Sequence, residues 1–103
     1  MAVTYLIKFD VKPGQRERFL ALLTGVLDAM RTETTFRDAV LHRDPQSDHR
    51  FMLYETWESH EDVMNVQIHR PYRKAWHDAL PDILAAERDI SVWEPVRSDR
   101  RAA

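Results

Sequence analysis

An α+β fold built on one four-stranded antiparallel sheet is what this 103-residue sequence predicts, and three observations predict it. Four segments rich in β-branched and aromatic residues alternate with a period of two. Stretches of helical periodicity fall between the first and second of them and between the third and fourth. The order is β-α-β-β-α-β, the split βαβ pattern of a ferredoxin-like sheet. Finally, the strands carry large apolar residues on both faces, whereas an antiparallel sheet covered on one side commonly keeps its second face polar.

The first strand runs from Val3 to Val11, with Val3, Tyr5, Ile7 and Phe9 on one face and Thr4, Leu6, Lys8 and Asp10 on the other. Lys12-Pro13-Gly14-Gln15 breaks it. Beyond the break, Phe19, Leu22, Leu23, Val26, Leu27 and Met30 recur at helical spacing among Arg16, Glu17, Arg18 and Asp28. This predicts a long amphipathic helix, closed by Thr32-Glu33-Thr34-Thr35. Asp38 to Arg43 and Arg50 to Trp57 read as a hairpin around the turn-forming Asp44-Pro45-Gln46-Ser47-Asp48. Ser59 is an N-cap candidate, with Asp62 three residues on, for a short helix through Val63, Met64 and Val66. Pro71 opens a further helical run with Tyr72, Ala75, Trp76, Ala79, Leu80, Ile83 and Leu84 on one face, which Pro81 is expected to end or bend. Asp89 to Pro95 alternates as a last strand. Residues 1–96 are thus expected to form one domain and 97–103 a polar tail carrying Arg97, Arg100 and Arg101.

Composition narrows the function. Hydrophobic residues at 44% and charged ones at 31% are globular proportions, and a formal net charge of −2 favours neither nucleic acid nor an anionic membrane as partner. There is no cysteine, which excludes disulfides, zinc thiolates, iron–sulfur clusters and thiol nucleophiles. The amino terminus has no basic region followed by a long apolar core, and no apolar run approaches spanning length, so the expected location is the cytoplasm. Gly14 and Gly25 are the only glycines, too few for a phosphate-cradling loop. No pair among the five histidines has the spacing of a local metal site. The second apolar face of the sheet, with Met52 and Tyr54 on the third strand and Trp93 on the last, calls for a covering layer. In a chain this short that layer is a second copy, by two-fold symmetry.

Three stretches resemble the antibiotic biosynthesis monooxygenase family: Val11-Lys12-Pro13-Gly14-Gln15 at the first helix, Phe51-Met52-Leu53-Tyr54-Glu55-Thr56-Trp57-Glu58-Ser59 on the third strand, and Pro71-Tyr72-Arg73-Lys74-Ala75-Trp76 on the later helix. The resemblance covers nearly the whole chain. It implies a homodimeric α/β barrel with a pocket in each subunit between sheet and helices. It also implies oxidation of a small hydroxylated aromatic, such as a quinol or anthrone, by molecular oxygen without metal or flavin. A non-catalytic or stress-related binding protein, or an isomerase or lyase using the same pocket, is the alternative, because fold does not fix function. Many relatives carry His-Leu on the short helix; here the stretch is Asn65-Val66-Gln67-Ile68, and the nearest histidine is His69. The Asn, Trp and His set of haem-degrading relatives has no match.

Cofactor-free oxygenation needs an apolar cavity, a group that stabilises a phenolate and a base with a pKa near the working pH. His69, between the two helical runs, is the candidate base or phenolate partner, and reads also as a solvated or helix-capping residue. Gln67 or Asn65 faces inward, with Gln67 favoured as the polarising partner. Tyr72 and Trp76, four apart on one face, together with Trp57 and Tyr54, are candidates to line the cavity and equally to fill the core. His77 with Asp78 is assigned to an exposed helix face.

Overall fold

The computed structural model describes residues 1–102. In chain order its elements are β1 (Val3–Asp10), α1 (Arg16–Met30), β2 (Phe36–Arg43), β3 (Arg50–Trp57), α2 (His60–Asn65), two 3₁₀ turns (Gln67–His69 and Pro71–Arg73), α3 (Lys74–Ile83) and β4 (Asp89–Trp93). The strands form one antiparallel sheet in the order β2-β3-β1-β4. This is the ferredoxin-like arrangement, with the two βαβ halves interleaved.

Alternation sorts the strand side chains. Val3, Tyr5, Ile7 and Phe9 on β1 face the helices and pair in register with Trp57, Glu55, Leu53 and Phe51 on β3. Against them α1 lays Phe19, Leu23, Val26 and Met30, spaced by three or four residues, and α3 lays Trp76, Ala79, Leu80 and Ile83. The centre is aromatic: Phe19 lies 5.1 Å from Phe9, 4.9 Å from Phe51 and 5.7 Å from Trp76, ring centre to ring centre. Edge-to-face and tilted packing at these distances contributes beyond the area buried.

Two turns fix the geometry around this core. Gly14, at φ +80°, lets the Lys12–Gln15 turn close with Gln15 N donating to Lys12 O at 3.1 Å, and α1 starts at the next residue. Val11 leaves β1 proper but bridges Leu84, and Ala85 N donates to Asp10 O at 2.8 Å, tying the end of α3 to the end of β1. Of the two outcomes expected for Pro81, ending or bending the helix, the first does not occur, since α3 runs on to Ile83. Pro81 sits in the last turn, where its missing N–H removes a single helical bond, while Leu84 N still reaches Leu80 O at 3.0 Å. β2 begins two residues earlier than expected, with an irregularity between Phe36 and Asp38, and β4 stops at Trp93 rather than Pro95. Beyond β4 the residues from Glu94 to Ala102 have no regular structure and are exposed, and Ala103 lies outside the described residues.

The face away from the helices carries Leu6, Val40, Met52, Tyr54 and Trp93. Leu6 is in register with Tyr54, and Tyr54 with Val40, so these side chains adjoin.

Candidate functional site

One residue breaks the apolar pattern of the helix-facing side of β3. Phe51, Leu53 and Trp57 are buried there, and between them Glu55 is buried as well, only 6% exposed. Its register places it between Tyr5 on β1 and Ala39 on β2. Glu55 Oε1 accepts a hydrogen bond from Trp57 Nε1 at 3.2 Å. Burial raises the pKa of its carboxyl above the ordinary value, and the charges of Arg73 and Arg88, with the Trp57 bond, oppose that rise without cancelling it.

The cations come from the opposite wall. Pro71–Arg73 winds one 3₁₀ turn before α3, which turns Arg73 toward the sheet, 7% exposed. His77 lies four residues on and therefore on the same face. Arg88 stands in the loop that the Ala85–Asp10 bond holds against the sheet. Among the described residues neither guanidinium is ion-paired to Glu55. Burial lowers the pKa of His77, and Arg88 and Arg73 lower it further, so its imidazole is neutral at pH 7.

These groups share one cavity of ≈ 350 Å³ between sheet and helices. Its apolar walls are Ile7, Val63, Ile68, Ile90 and Val92, and its polar groups are Tyr5, Glu55, His60, Arg73, His77 and Arg88. The hydroxyl of Tyr5 and Nδ1 of His60 are hydrogen-bonded at 2.6 Å, which joins β1 to the first residue of α2 at the cavity wall. Burial, and next the charge of Glu55, raise the pKa of Tyr5, so it stays a neutral phenol. A second hollow of ≈ 550 Å³ over the α3–β4 loop shares His77, Arg88 and Ile90 with the first. A third, of ≈ 240 Å³, lies among the exposed Lys8, His42, Arg43 and Arg50 at the other end of β3.

The residues singled out from the sequence lie elsewhere. His69 and Asn65 are exposed and do not line the cavity. Gln67 is buried, but its Nε2 donates to Glu33 Oε2 and Asp62 Oδ2, both at 3.1 Å. Tyr72 donates to Glu33 Oε1 at 3.4 Å. Trp57 and Trp76 are core residues, packed against Phe36 and against Phe9 and Phe19. Tyr54 is on the far face of the sheet, stacked on His42 at 5.7 Å. His77, assigned from the sequence to an exposed face, is half-buried in the cavity wall, because Trp76, His77 and Leu80 of α3 continue one stripe that begins at Arg73, just before the helix. Glu55 and Arg73 stood inside quoted motifs without being singled out. For Glu55 the signal was a charge at a position whose neighbours in the same phase, Phe51, Leu53 and Trp57, are all apolar; Arg73 shares its stripe with His77 and carried no such signal.

No group of three or more His, Asp or Glu among the described residues is arranged to hold a metal ion. Fold and cavity together define a ferredoxin-like α+β protein with a hollow of small-molecule size between sheet and helices. The model of the antibiotic biosynthesis monooxygenase family matches residues 2–79, and the chain belongs to that family. It is 28% identical over 93 residues to a Pestalotiopsis microspora protein provisionally named a monooxygenase, covering 89% of this chain and 78% of that one. Rv0793 and SnoaB are among the solved structures that share the fold. Rv0793 of Mycobacterium tuberculosis superposes with a TM-score of 0.86 at 18% identity, covering 97% of this chain and 100% of that one. SnoaB, a cofactor-independent oxygenase of Streptomyces nogalater, does so with a TM-score of 0.79 at 16% identity, covering 94% and 95%.

Proposed function

We propose that the protein is a cofactor-independent monooxygenase that oxidises a small hydroxylated aromatic, a quinol or an anthrone-like ring, with molecular oxygen, acting as a homodimer in the cytoplasm. The observation that carries this reading is the buried Glu55 carboxyl facing an apolar cavity across from two arginines. Family membership and the likeness to a cofactor-independent oxygenase support it.

Glu55 takes the proton of a ring hydroxyl. Its raised pKa suits it to hold that proton, since a base works best with a pKa near the operating pH. Arg88 offsets the charge that appears on the phenolate, in a cavity where that attraction is stronger than in water. Neutral His77 and Tyr5 orient the ring by hydrogen bonds. The deprotonated ring is itself the electron donor to oxygen. Oxygen adds to a ring carbon to give a hydroperoxide, and the O–O bond then breaks. One oxygen stays as a carbonyl and the other leaves as water with the two hydrogens the substrate has lost, so no external reductant is needed.

Oxygen uptake by chelator-treated protein on addition of a hydroquinone panel tests the reading. Glu55→Gln, which keeps the shape and the bond from Trp57, is expected to lower turnover by roughly 10²-fold or more. Binding without oxygen uptake by any quinol or anthrone overturns the oxygenase assignment. A collapse in His69→Ala with Glu55→Gln intact would move the chemistry out of this cavity.

A further inference from the structure

Arg73 poses a problem that the oxygenation chemistry leaves unanswered. Its side chain is buried beside the Tyr72 hydroxyl, and its Nε and Nη2 are shielded from solvent without a well-aligned hydrogen bond to any acceptor. A buried donor left unpaired is costly, and more so when it is charged. The rings of Trp57 and Tyr72 each lie 5.8 Å from the guanidinium carbon. They hold the plane of the group without satisfying its edge. Nε and Nη2 lie on one edge of that plane, and this fork matches the two oxygens of a carboxylate.

The charge balance of the cavity agrees. Two arginines line it against the single carboxyl of Glu55, and neither is ion-paired to it. With His77 neutral and Glu55 ionised, the two arginines leave one positive charge among these four groups without a counterpart. A monoanionic ligand makes the cavity neutral, and passage of a ring proton to Glu55 then leaves that total unchanged.

We infer that the ligand of this cavity is a hydroxylated aromatic carrying a carboxylate, which Arg73 grips once its unpaired Nε–Nη2 edge turns into the cavity, while Arg88 serves the ring hydroxyl. The inference rests on the aromatic-ligand part of the proposed function and adds the acid group that distinguishes one ring from another. Because Nε and Nη2 are covered, a rotation of the guanidinium toward the ligand accompanies binding.

Calorimetry without oxygen tests it, using gentisate, a hydroquinone with a carboxylate, and gentisamide, its neutral amide. Gentisate is expected to bind roughly tenfold tighter or better, the scale of a charge-assisted pair. Arg73→Gln is expected to bring the two ligands to parity. Arg73→Lys, which keeps the charge but not the fork, is expected to fall between. Equal affinities in the unaltered protein, an acid preference that survives Arg73→Gln, or failure of both ligands to bind at millimolar concentration overturns the inference. Should Arg73→Gln fail to fold by circular dichroism, Arg73→Lys and the unaltered protein decide. Oxygen uptake measured separately keeps the two readings apart. Gentisate bound but never oxidised overturns only the oxygenase, and equal binding and oxidation of acid and amide overturns only the carboxylate.

Discussion

Glu55 shows how one side chain links stability to chemistry. Its folded pKa is raised, chiefly by burial, above the unfolded value of about 4.3. Its contribution to stability is therefore complete below that unfolded value, is lost as pH rises through the raised folded value, and changes no further beyond it. Glu55→Gln removes this dependence while keeping an acceptor for Trp57 Nε1. The variant is expected to melt higher than the unaltered protein at pH 8, with the gap closing toward pH 4. Thermal scans across that range check it, and a variant less stable at pH 8 would contradict the burial argument. The same residue measures how far the sequence could be read. Strict alternation along β3 places Glu55 beside Phe51, Leu53 and Trp57, so its inward direction was legible. Its importance was not, because alternation cannot say that Arg73 and Arg88, far along the chain, stand opposite. Arg88 belongs to a loop with no periodicity and becomes visible only through the bond from Ala85 to Asp10.

At the scale of elements, the short helix and the two 3₁₀ turns over the cavity are too brief to be stable alone. Polar side chains hold them. Ser59 caps α2 by accepting from Asp62 N at 3.1 Å, as its position in the sequence suggested. Thr35 and Gln67 donate to Asp62 Oδ2, and these bonds, in that order, hold its carboxyl below the ordinary range. Glu33, just beyond α1, collects Gln67, Arg70 and Tyr72. Sequence reasoning correctly expected Gln67 to face inward and need a partner. It could not see that the partners, Glu33 and Asp62, make Gln67 part of a clamp on the cavity's cover. Glu33→Ala removes three acceptor contacts at once, one of them to the buried Gln67. It is expected to cost roughly 1–3 kcal/mol by urea denaturation. Amide exchange should speed up between residues 66 and 73 more than in β1 or β3. Uniform acceleration across the sheet would mean that the clamp acts on the whole fold and not on the cover.

For the whole molecule the open face of the sheet is decisive, because the helices cover only one side. Leu6, Val40, Met52 and Tyr54 adjoin there, and Trp93, at the β4 edge, is 59% exposed. Three eight-residue strands and the five-residue β4, spaced as in any sheet, make this face about 25 by 20 Å at its widest, enough for the centre of a standard interface. A contiguous apolar patch of this kind marks association, and two-fold pairing of the same face meets the need without another partner. The element order was legible because each strand carries its own period. The apolar character of the open face was legible from Met52 and Tyr54 in the opposite phase to Phe51 and Leu53. Which residues meet across the axis depends on a rotation between copies that no periodicity encodes. Light scattering on the eluting protein should therefore give about twice 12.2 kDa at micromolar concentration. Tyr54→Arg places a charge near the centre of the patch, where desolvation leaves it unpaired, and is expected to raise the dimer dissociation constant roughly thirtyfold or more. Its circular dichroism should match the unaltered protein, since the side chain points away from the helix-facing core. A monomeric unaltered protein at that concentration, or a Tyr54→Arg dimer of undiminished affinity, would remove the open face as the site of pairing.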